Sequence, residues 1–165
     1  MATMRCDHPD IKDFITAKRD AAKLRMFNLS VLVTDAFIEA VKNDADWNLH
    51  FTNRRGERRV YETIRAKDLW NLIMENTYNY AEPGVLFIDR INSFNNLWYD
   101  EYISATNPCG EQPLPPYGAC LLGSINLPKF VINPFQKTVT LNKRKMCETM
   151  EAAVMMLDGV IDISK

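Results

Sequence analysis

The order of apolar patterns along the chain predicts a mixed α/β fold. Residues 66–80 repeat apolar side chains at the spacing of an amphipathic helix, with Leu69 and Ile73 on one face. Residues 85–88 form a short, continuous apolar run of the kind found in buried strands. Helical and strand-like segments alternate in this way over the 165 residues, a length typical of one domain.

Two helices and one strand are predicted before residue 44. Asp7 is predicted to cap a helix that extends to about residue 18, because a proline and an aspartate follow in its first turn. Residues 25–33 are apolar and β-branched, which predicts a strand. Thr34 or Asp35 is predicted to cap a short helix that follows this strand.

A β-hairpin is predicted over residues 47–64, where two strand-like runs flank a polar turn containing Gly56. Its arginine cluster suggests either phosphate binding or a solvated turn. The solvated turn is favoured because loop tips are usually charged and exposed. The cluster consists of Arg54, Arg55, Arg58 and Arg59.

The second half is predicted to contain a loop over residues 90–101, a buried strand over residues 121–127 and a final helix capped by Asn142. A methionine-rich stripe on this helix is predicted to pack in a core rather than to bind a cofactor. Its members are Met146, Met150, Ala153, Val154, Leu157 and Ile161.

The stretch over residues 104–127 reads SATNPCGEQPLPPYGACLLGSINL and is rich in proline and glycine. Proline fixes φ and lacks an amide donor, so neither a helix nor a central strand is expected over residues 107–117. A loop of this length in a compact domain is usually functional.

Asn107, Cys109 and Glu111 alternate in this loop, and in an extended backbone they would share one side. A hydrolytic cysteine needs a histidine base, but His8 and His50 are distant in sequence. The residues suit a thiol that donates a hydrogen atom while Glu111 handles protons. The alternative is a rigid loop around a buried structural cysteine, since free cysteines are often buried.

Composition excludes several classes of function. The net charge of −1 without a basic stripe argues against a nucleic-acid partner. No apolar run reaches membrane-spanning length, and no signal peptide is recognisable. The four cysteines lack zinc-site spacing, so no metal ligands are expected, and Cys6 and Cys147 are predicted to be structural. A cytoplasmic location fits these features.

The motif Asn107-Pro-Cys-Gly-Glu111, with the second cysteine at Cys120, resembles the active-site finger loop of the ribonucleotide reductase large chain. The sequence PPYGACLLGSINL is most similar to the adenosylcobalamin-dependent (class II) branch of that family. Residues 1–11, 27–31 and 82–92 resemble the same family in the same order. The resemblance therefore runs along nearly the whole chain and assigns the finger loop to about residues 104–119.

This resemblance implies part of a ten-stranded α/β barrel with a central finger loop. Residues 1–165 would then be a partial catalytic barrel domain, an internal fragment of a ribonucleoside-diphosphate reductase large chain. The isolated fragment is expected to be inactive, because the remaining segments of the reductase are needed as its partners.

The resemblance also implies roles for individual residues. Cys109 would carry the thiyl radical that removes the 3′ hydrogen, Glu111 would accept the 3′-hydroxyl proton, and Asn107 would hydrogen-bond the substrate. Cys120 would be one thiol of a redox-active disulfide whose partner lies outside this chain. Asn28 and Ser30 are expected to share a strand face near the nucleotide.

By resemblance alone, the cofactor is adenosylcobalamin and the substrate is a ribonucleoside diphosphate or triphosphate. An external thiol reductant such as thioredoxin and a homodimer in the full enzyme are further expectations. Two alternatives remain open. One is a class I or glycyl-radical relative with another radical source, and the other is a non-catalytic nucleotide-binding or interaction domain.

Overall fold

A three-stranded parallel sheet is the centre of the first of two compact units, residues 1–118. The computed structural model describes residues 1–20 and 22–164. Strands β1 (Ala2–Arg5) and β5 (Gly84–Phe87) flank β2 (Leu29–Val33), and both pair with it in parallel. Every residue of β2 is buried, as expected for a strand covered on both faces.

Three helices cover one face of this sheet: α1 (Ile11–Thr16), α2 (Asp35–Lys42) and α3 (Ala66–Tyr80). Val31 and Val33 of β2 belong to their shared core. The other core members include Cys6, Ile11, Ile15, Phe37, Leu49, Leu69 and Ile73. The predicted bounds of α3 are confirmed, and its apolar stripe packs Leu69 and Ile73 as expected.

The opposite face of the sheet carries a smaller cluster of Leu32, Ile88 and Ile103. Successive side chains of a strand alternate between faces, so Ser30 lies on the same face as Leu32. Helix α4 (Ile88–Ser93) follows β5, and the chain then reaches the short antiparallel pair β6 (Ala105–Thr106) and β7 (Pro113–Leu114). This pair forms the stem of the finger loop.

The predicted hairpin is confirmed as β3 (Asp46–Thr52) and β4 (Arg58–Arg65), which pair antiparallel. Gly56 adopts a φ of +81° at its turn, a conformation that residues with a side chain rarely adopt. The four arginines of this hairpin are exposed, which agrees with a solvated turn.

The second unit, residues 119–165, contains β8 (Val131–Ile132), β9 (Thr140–Leu141) and α5 (Lys143–Ile163). The two strands pair antiparallel, and a 3-10 helix over Leu127–Phe130 precedes them. The predicted cap of α5 is confirmed, because the side-chain oxygen of Asn142 accepts from the Lys145 amide at 3.0 Å.

Several predicted elements are wrong near the amino terminus. Asp7 does not cap a helix, because its carboxylate is bound by the Arg5 guanidinium, with Arg5 Nη2 at 2.7 Å. Helix α1 begins at Ile11 instead. Residues 25–28 are exposed and lie outside β2, so Asn28 is not part of the strand. Strand β1 was not expected.

Three predictions in the second half are also wrong. Residues 90–101 are not wholly a loop, since α4 occupies Ile88–Ser93. Residues 121–127 form no buried strand: residues 121–126 are irregular, Leu127 begins the 3-10 helix, and Leu122 is 70% exposed. Helix α5 has no buried residue, so its methionine stripe is not core packing in the described part of the chain.

The sheet and the short ribbons make the fold mixed α/β, but the described residues contain no closed ten-stranded barrel. None of the helices over residues 1–20 and 22–164 is long and apolar enough to cross a membrane.

Candidate active site

The tip of the finger loop is a compact turn over residues 107–112, which we call the finger tip. The Asn107 amide donates to the Gln112 carbonyl at 3.0 Å, and the Gln112 amide donates to the Asn107 side-chain oxygen at 3.0 Å. The Gly110 amide donates to the Asn107 carbonyl, also at 3.0 Å. These bonds close the tip on top of the β6–β7 stem.

Sequence explains why the chain turns here. Pro108 has its φ fixed by its ring, and Gly110 adopts a φ of +85° that favours glycine. Cys109 lies between them and is exposed. The motif therefore places an exposed thiol within the turn, and the alternative of a buried structural cysteine is wrong for the described chain.

The Asn107 carboxamide donates a hydrogen bond to Glu111 Oε1. The two side chains that flank Cys109 in sequence are thus brought together, although by a turn and not by the extended backbone that the spacing suggested. Neither histidine is at the finger tip: His8 Nδ1 accepts from the Asp10 amide at 3.1 Å, and His50 lies beside Arg58. The arrangement offers an accessible thiol, a carboxylate and a carboxamide without an imidazole base.

The base of the finger, residues 103–106, is held from outside the loop. Thr3 Oγ1 of β1 donates to the Ser104 carbonyl at 3.1 Å. Asn92 of α4 bonds both backbone groups of Ile103, which is 6% exposed. Thr106 is also buried. The base is therefore anchored to elements at both edges of the sheet, whereas the tip is held by its own hydrogen bonds.

Ser30 lies on the sheet face that carries Ile103, while Asn28 points elsewhere. A Cβ at Gly84, which pairs with Ser30, would come within 2.9 Å of Ser30 Oγ, so a glycine leaves room for this hydroxyl. Asn28 is exposed, and its side-chain nitrogen, Nδ2, lies 3.4 Å from Glu82 Oε1. The expected common face of Asn28 and Ser30 is not formed.

The four cysteines are all free thiols with different surroundings. Burial raises the pKa of Cys6 to about 11, outweighing the hydrogen bonds with Thr34 that lower it. Cys147 on α5 is exposed, contrary to the buried role expected for a structural thiol. Cys120 belongs to the second unit, where it is partly exposed in the irregular segment before the 3-10 helix.

Sequence reasoning missed two residues that hold the finger base, Thr3 and Asn92. The asparagine-rich stretch around residue 92 was visible as a lead-in to the finger, but its contact with Ile103 was not. Among the described residues, no group of three or more histidine, cysteine or acidic side chains is placed to hold a metal ion.

Comparison with known proteins identifies the family of the chain. The family model "Ribonucleotide reductase, barrel domain" matches residues 1–165. The vitamin B12-dependent ribonucleoside-diphosphate reductase of Thermoplasma acidophilum is 40% identical over 166 residues, covering 100% of this chain and 21% of that protein. A Mycobacterium tuberculosis reductase of the same name is 39% identical, covering 100% of this chain and 23% of its own length.

A vitamin B12-dependent ribonucleotide reductase of Agrobacterium fabrum is 37% identical over 103 residues, which cover 62% of this chain and 8% of that protein. The chain thus spans 21% of the length of the Thermoplasma protein and 23% of the length of the Mycobacterium protein. Because the family model covers every residue, the chain belongs to the ribonucleotide reductase family and corresponds to residues of its barrel domain.

Proposed function

We propose that this chain supplies the finger loop of a reductase that converts ribonucleotides to 2′-deoxyribonucleotides. The observation that carries the proposal is the exposed Cys109 thiol on a turn that also pairs Asn107 with Glu111. The names of the relatives support the same reaction. The activity belongs to the complete reductase polypeptide, of which this chain is proposed to be one part.

Each residue of the finger tip has a role in this proposal. The Cys109 sulfur, as a thiyl radical, removes the 3′ hydrogen atom of the ribose. The Glu111 carboxylate accepts the proton of the 3′-hydroxyl, and the Asn107 carboxamide orients both Glu111 and the substrate. General-base assistance of this kind typically contributes about 10²–10⁴-fold to a rate.

The reduction balances with one dithiol. The 2′-hydroxyl leaves as water, two thiols supply two electrons and two protons and become a disulfide, and Cys109 returns the hydrogen atom to the 3′ carbon. Cys120 is proposed as one of these thiols, with its partner outside this chain. A thioredoxin-type reductant would then restore the dithiol.

Adenosylcobalamin is the proposed cofactor, as the names of the relatives indicate. When bound, it would supply the radical that takes the hydrogen of the Cys109 thiol. Cys109 fits this task because its sulfur is exposed at a turn, where an outside group can reach it. No residue of this chain is assigned as a cobalamin ligand.

Further parts of the proposal concern the complete protein. Its barrel would have ten strands, of which β1, β2 and β5 form a section with the finger on the inner face. Ser30 would face the substrate from β2, whereas Asn28 is a weaker candidate because it is directed to Glu82. A cytoplasmic location and a homodimer belong to the same proposal.

The test is deoxyribonucleotide formation by the complete reductase with adenosylcobalamin and a dithiol. We expect turnover that requires both additions and no turnover by the 165-residue chain alone. Turnover without adenosylcobalamin would assign another radical source. Nucleotide binding without any turnover would contradict the proposal in favour of a non-catalytic domain.

A further inference from the structure

Two side chains hold the segment that leads into the finger: Thr3 bonds the Ser104 carbonyl, and Asn92 bonds both backbone groups of Ile103. Asn92 on α4 accepts a hydrogen bond from the Ile103 amide at 2.9 Å, and its own amide donates to the Ile103 carbonyl at 2.9 Å. The same amide donates to the Ile88 carbonyl at 3.0 Å, inside α4. The Asn92 carboxamide therefore supplies the two backbone hydrogen bonds that a neighbouring strand would otherwise give Ile103, and it links Ile103 to α4.

This pairing is specific to one register of the chain. Ile103 is 6% exposed and packs with Leu32 and Ile88, so its backbone groups have little access to water. A residue in this buried position needs a partner for its backbone amide and for its carbonyl. The residue opposite Asn92 obtains both partners from the Asn92 side chain. A slip by one residue would move the loop by about 3.3 Å and turn its side chains to the other face.

The position of Ile103 determines the position of the finger tip. Only three residues separate Ile103 from Asn107, and β6, the first strand of the stem, lies between them. The finger tip makes its hydrogen bonds within itself, so it follows its base, which Asn92 and Thr3 hold. Misplacement of a reacting group by about 1 Å can lower a rate by about 10²-fold.

We propose that Asn92 is a positioning residue that sets the register of the finger and thereby the location of Cys109. The inference rests on the proposed function for its effect on turnover, but its effect on the backbone can be measured without turnover. Asn92 touches neither Cys109 nor Glu111 and acts only through Ile103.

The experiment uses the complete reductase with Asn92→Leu, which has a similar volume and no hydrogen-bonding group. Asn95→Leu is the matched control, since the Asn95 side chain bonds only within its own loop, to the Leu97 amide at 3.0 Å and the Glu101 carbonyl at 3.4 Å. Asn92→Asp is a second variant that keeps the acceptor for the Ile103 amide but loses both donations.

Hydrogen exchange of the peptide covering residues 100–108 is the first readout. We expect Asn92→Leu to accelerate exchange of this peptide at least about 10-fold, since the Ile103 amide loses its acceptor, while Asn95→Leu leaves it unchanged. Unchanged exchange in Asn92→Leu would overturn the inference, whether or not the reductase turns over.

Steady-state kinetics are the second readout. We expect Asn92→Leu to lower kcat by about 10–100-fold with KM within about 3-fold, because substrate binds but the thiol is misplaced. The amount of 3′ tritium released per deoxynucleotide should also change. A wild-type kcat in Asn92→Leu, or an equal loss in Asn95→Leu, would overturn the inference. If Asn92→Leu fails to fold, a wild-type kcat in Asn92→Asp, which loses both donations, would overturn it.

An inactive wild-type reductase would contradict the proposed function instead, and the exchange experiment would still decide the role of Asn92.

Discussion

Two cysteines of residues 1–118 lie in opposite surroundings. Cys6 follows β1 directly, has no exposed surface and belongs to the core between the sheet and its helices. Cys109 is exposed on a turn that is closed by backbone hydrogen bonds. The same side chain is therefore a packing group in one region and an accessible thiol in the other.

The difference shows how backbone conformation decides the chemistry of a thiol. Burial keeps Cys6 neutral by raising its pKa to about 11 and shields it from any reactant. The finger tip does the opposite, because Cys109 lies between Pro108 and Gly110 on a turn that leaves its thiol exposed. A substitution at Cys109 should therefore change reactivity without changing stability. A substitution at Cys6 should change stability without changing reactivity.

Cys109→Ser should have the largest effect. It is expected to abolish deoxynucleotide formation by the complete reductase, because the O–H bond of serine is too strong to replace the thiol. Since Cys109 is exposed, the unfolding free energy should change by no more than about 0.5 kcal/mol. Cys147→Ser, at another exposed cysteine, is the control and should keep full turnover.

Glu111→Gln should lower kcat by about 10²–10⁴-fold, the usual contribution of a general base. Glutamine keeps the shape of the side chain but cannot accept the proton of the 3′-hydroxyl. The control is Glu148→Gln, which removes only an exposed ion pair with Arg144 at 2.8 Å. Equal kcat values for the wild type and Glu111→Gln would remove Glu111 from the mechanism.

Cys6→Ser should affect stability without affecting chemistry. Placing a hydroxyl in this buried position is expected to lower the unfolding free energy by about 1–3 kcal/mol. Chemical denaturation would measure this loss, with Cys147→Ser again as the exposed counterpart. A loss of kcat per folded molecule in Cys6→Ser would break the contrast between the two regions.

The smallest expected effect is on the free energy of unfolding at alkaline pH. An unfolded thiol has a pKa of about 8.5, and the folded pKa of Cys6 is raised above it, to about 11. The stabilisation from the neutral thiol is therefore complete below the unfolded value and is lost as pH rises through the folded one. Cys6→Ala should reduce the fall in unfolding free energy over this interval, as measured by denaturation at several pH values; an unchanged slope would contradict the assignment.

Local signals in the sequence were sufficient for several elements. Thr34, one of two candidates for its helix, and Asn142 were predicted as caps, and each accepts a hydrogen bond from an amide three residues later. Gly56 marked the turn of the β3–β4 hairpin. In each case the residues that determine the structure are neighbours in the chain, so a short stretch of sequence is enough to predict it.

Elements that depend on distant partners were not predictable. Strand β1 is only four residues long, and it pairs with β2, which lies 27 residues further along, as in Ala2 with Leu29. The expectation of a buried strand over residues 121–127 assumed a covering layer that residues 119–164 do not provide for Leu122. An apolar segment does not by itself indicate which other residues of the fold will cover it.

The candidate site divides in the same way. The motif revealed Asn107, Cys109 and Glu111, because all three lie within five residues and form one turn. It did not reveal Asn92, which is 11 residues from its partner Ile103, or Thr3, which is 101 residues from Ser104. Reactive groups are visible in a short motif, whereas the groups that position them come from elsewhere in the fold.

The central claim is that Cys109 starts the reaction and that Cys120 acts later. Release of tritium from 3′-labelled ribonucleotide by the complete reductase tests it directly, measured beside deoxynucleotide yield in Cys109→Ser and Cys120→Ser. We expect no tritium release from Cys109→Ser, and from Cys120→Ser we expect release without sustained product, followed by inactivation. Tritium release by Cys109→Ser, or product over many turnovers by Cys120→Ser with a dithiol, would contradict the account.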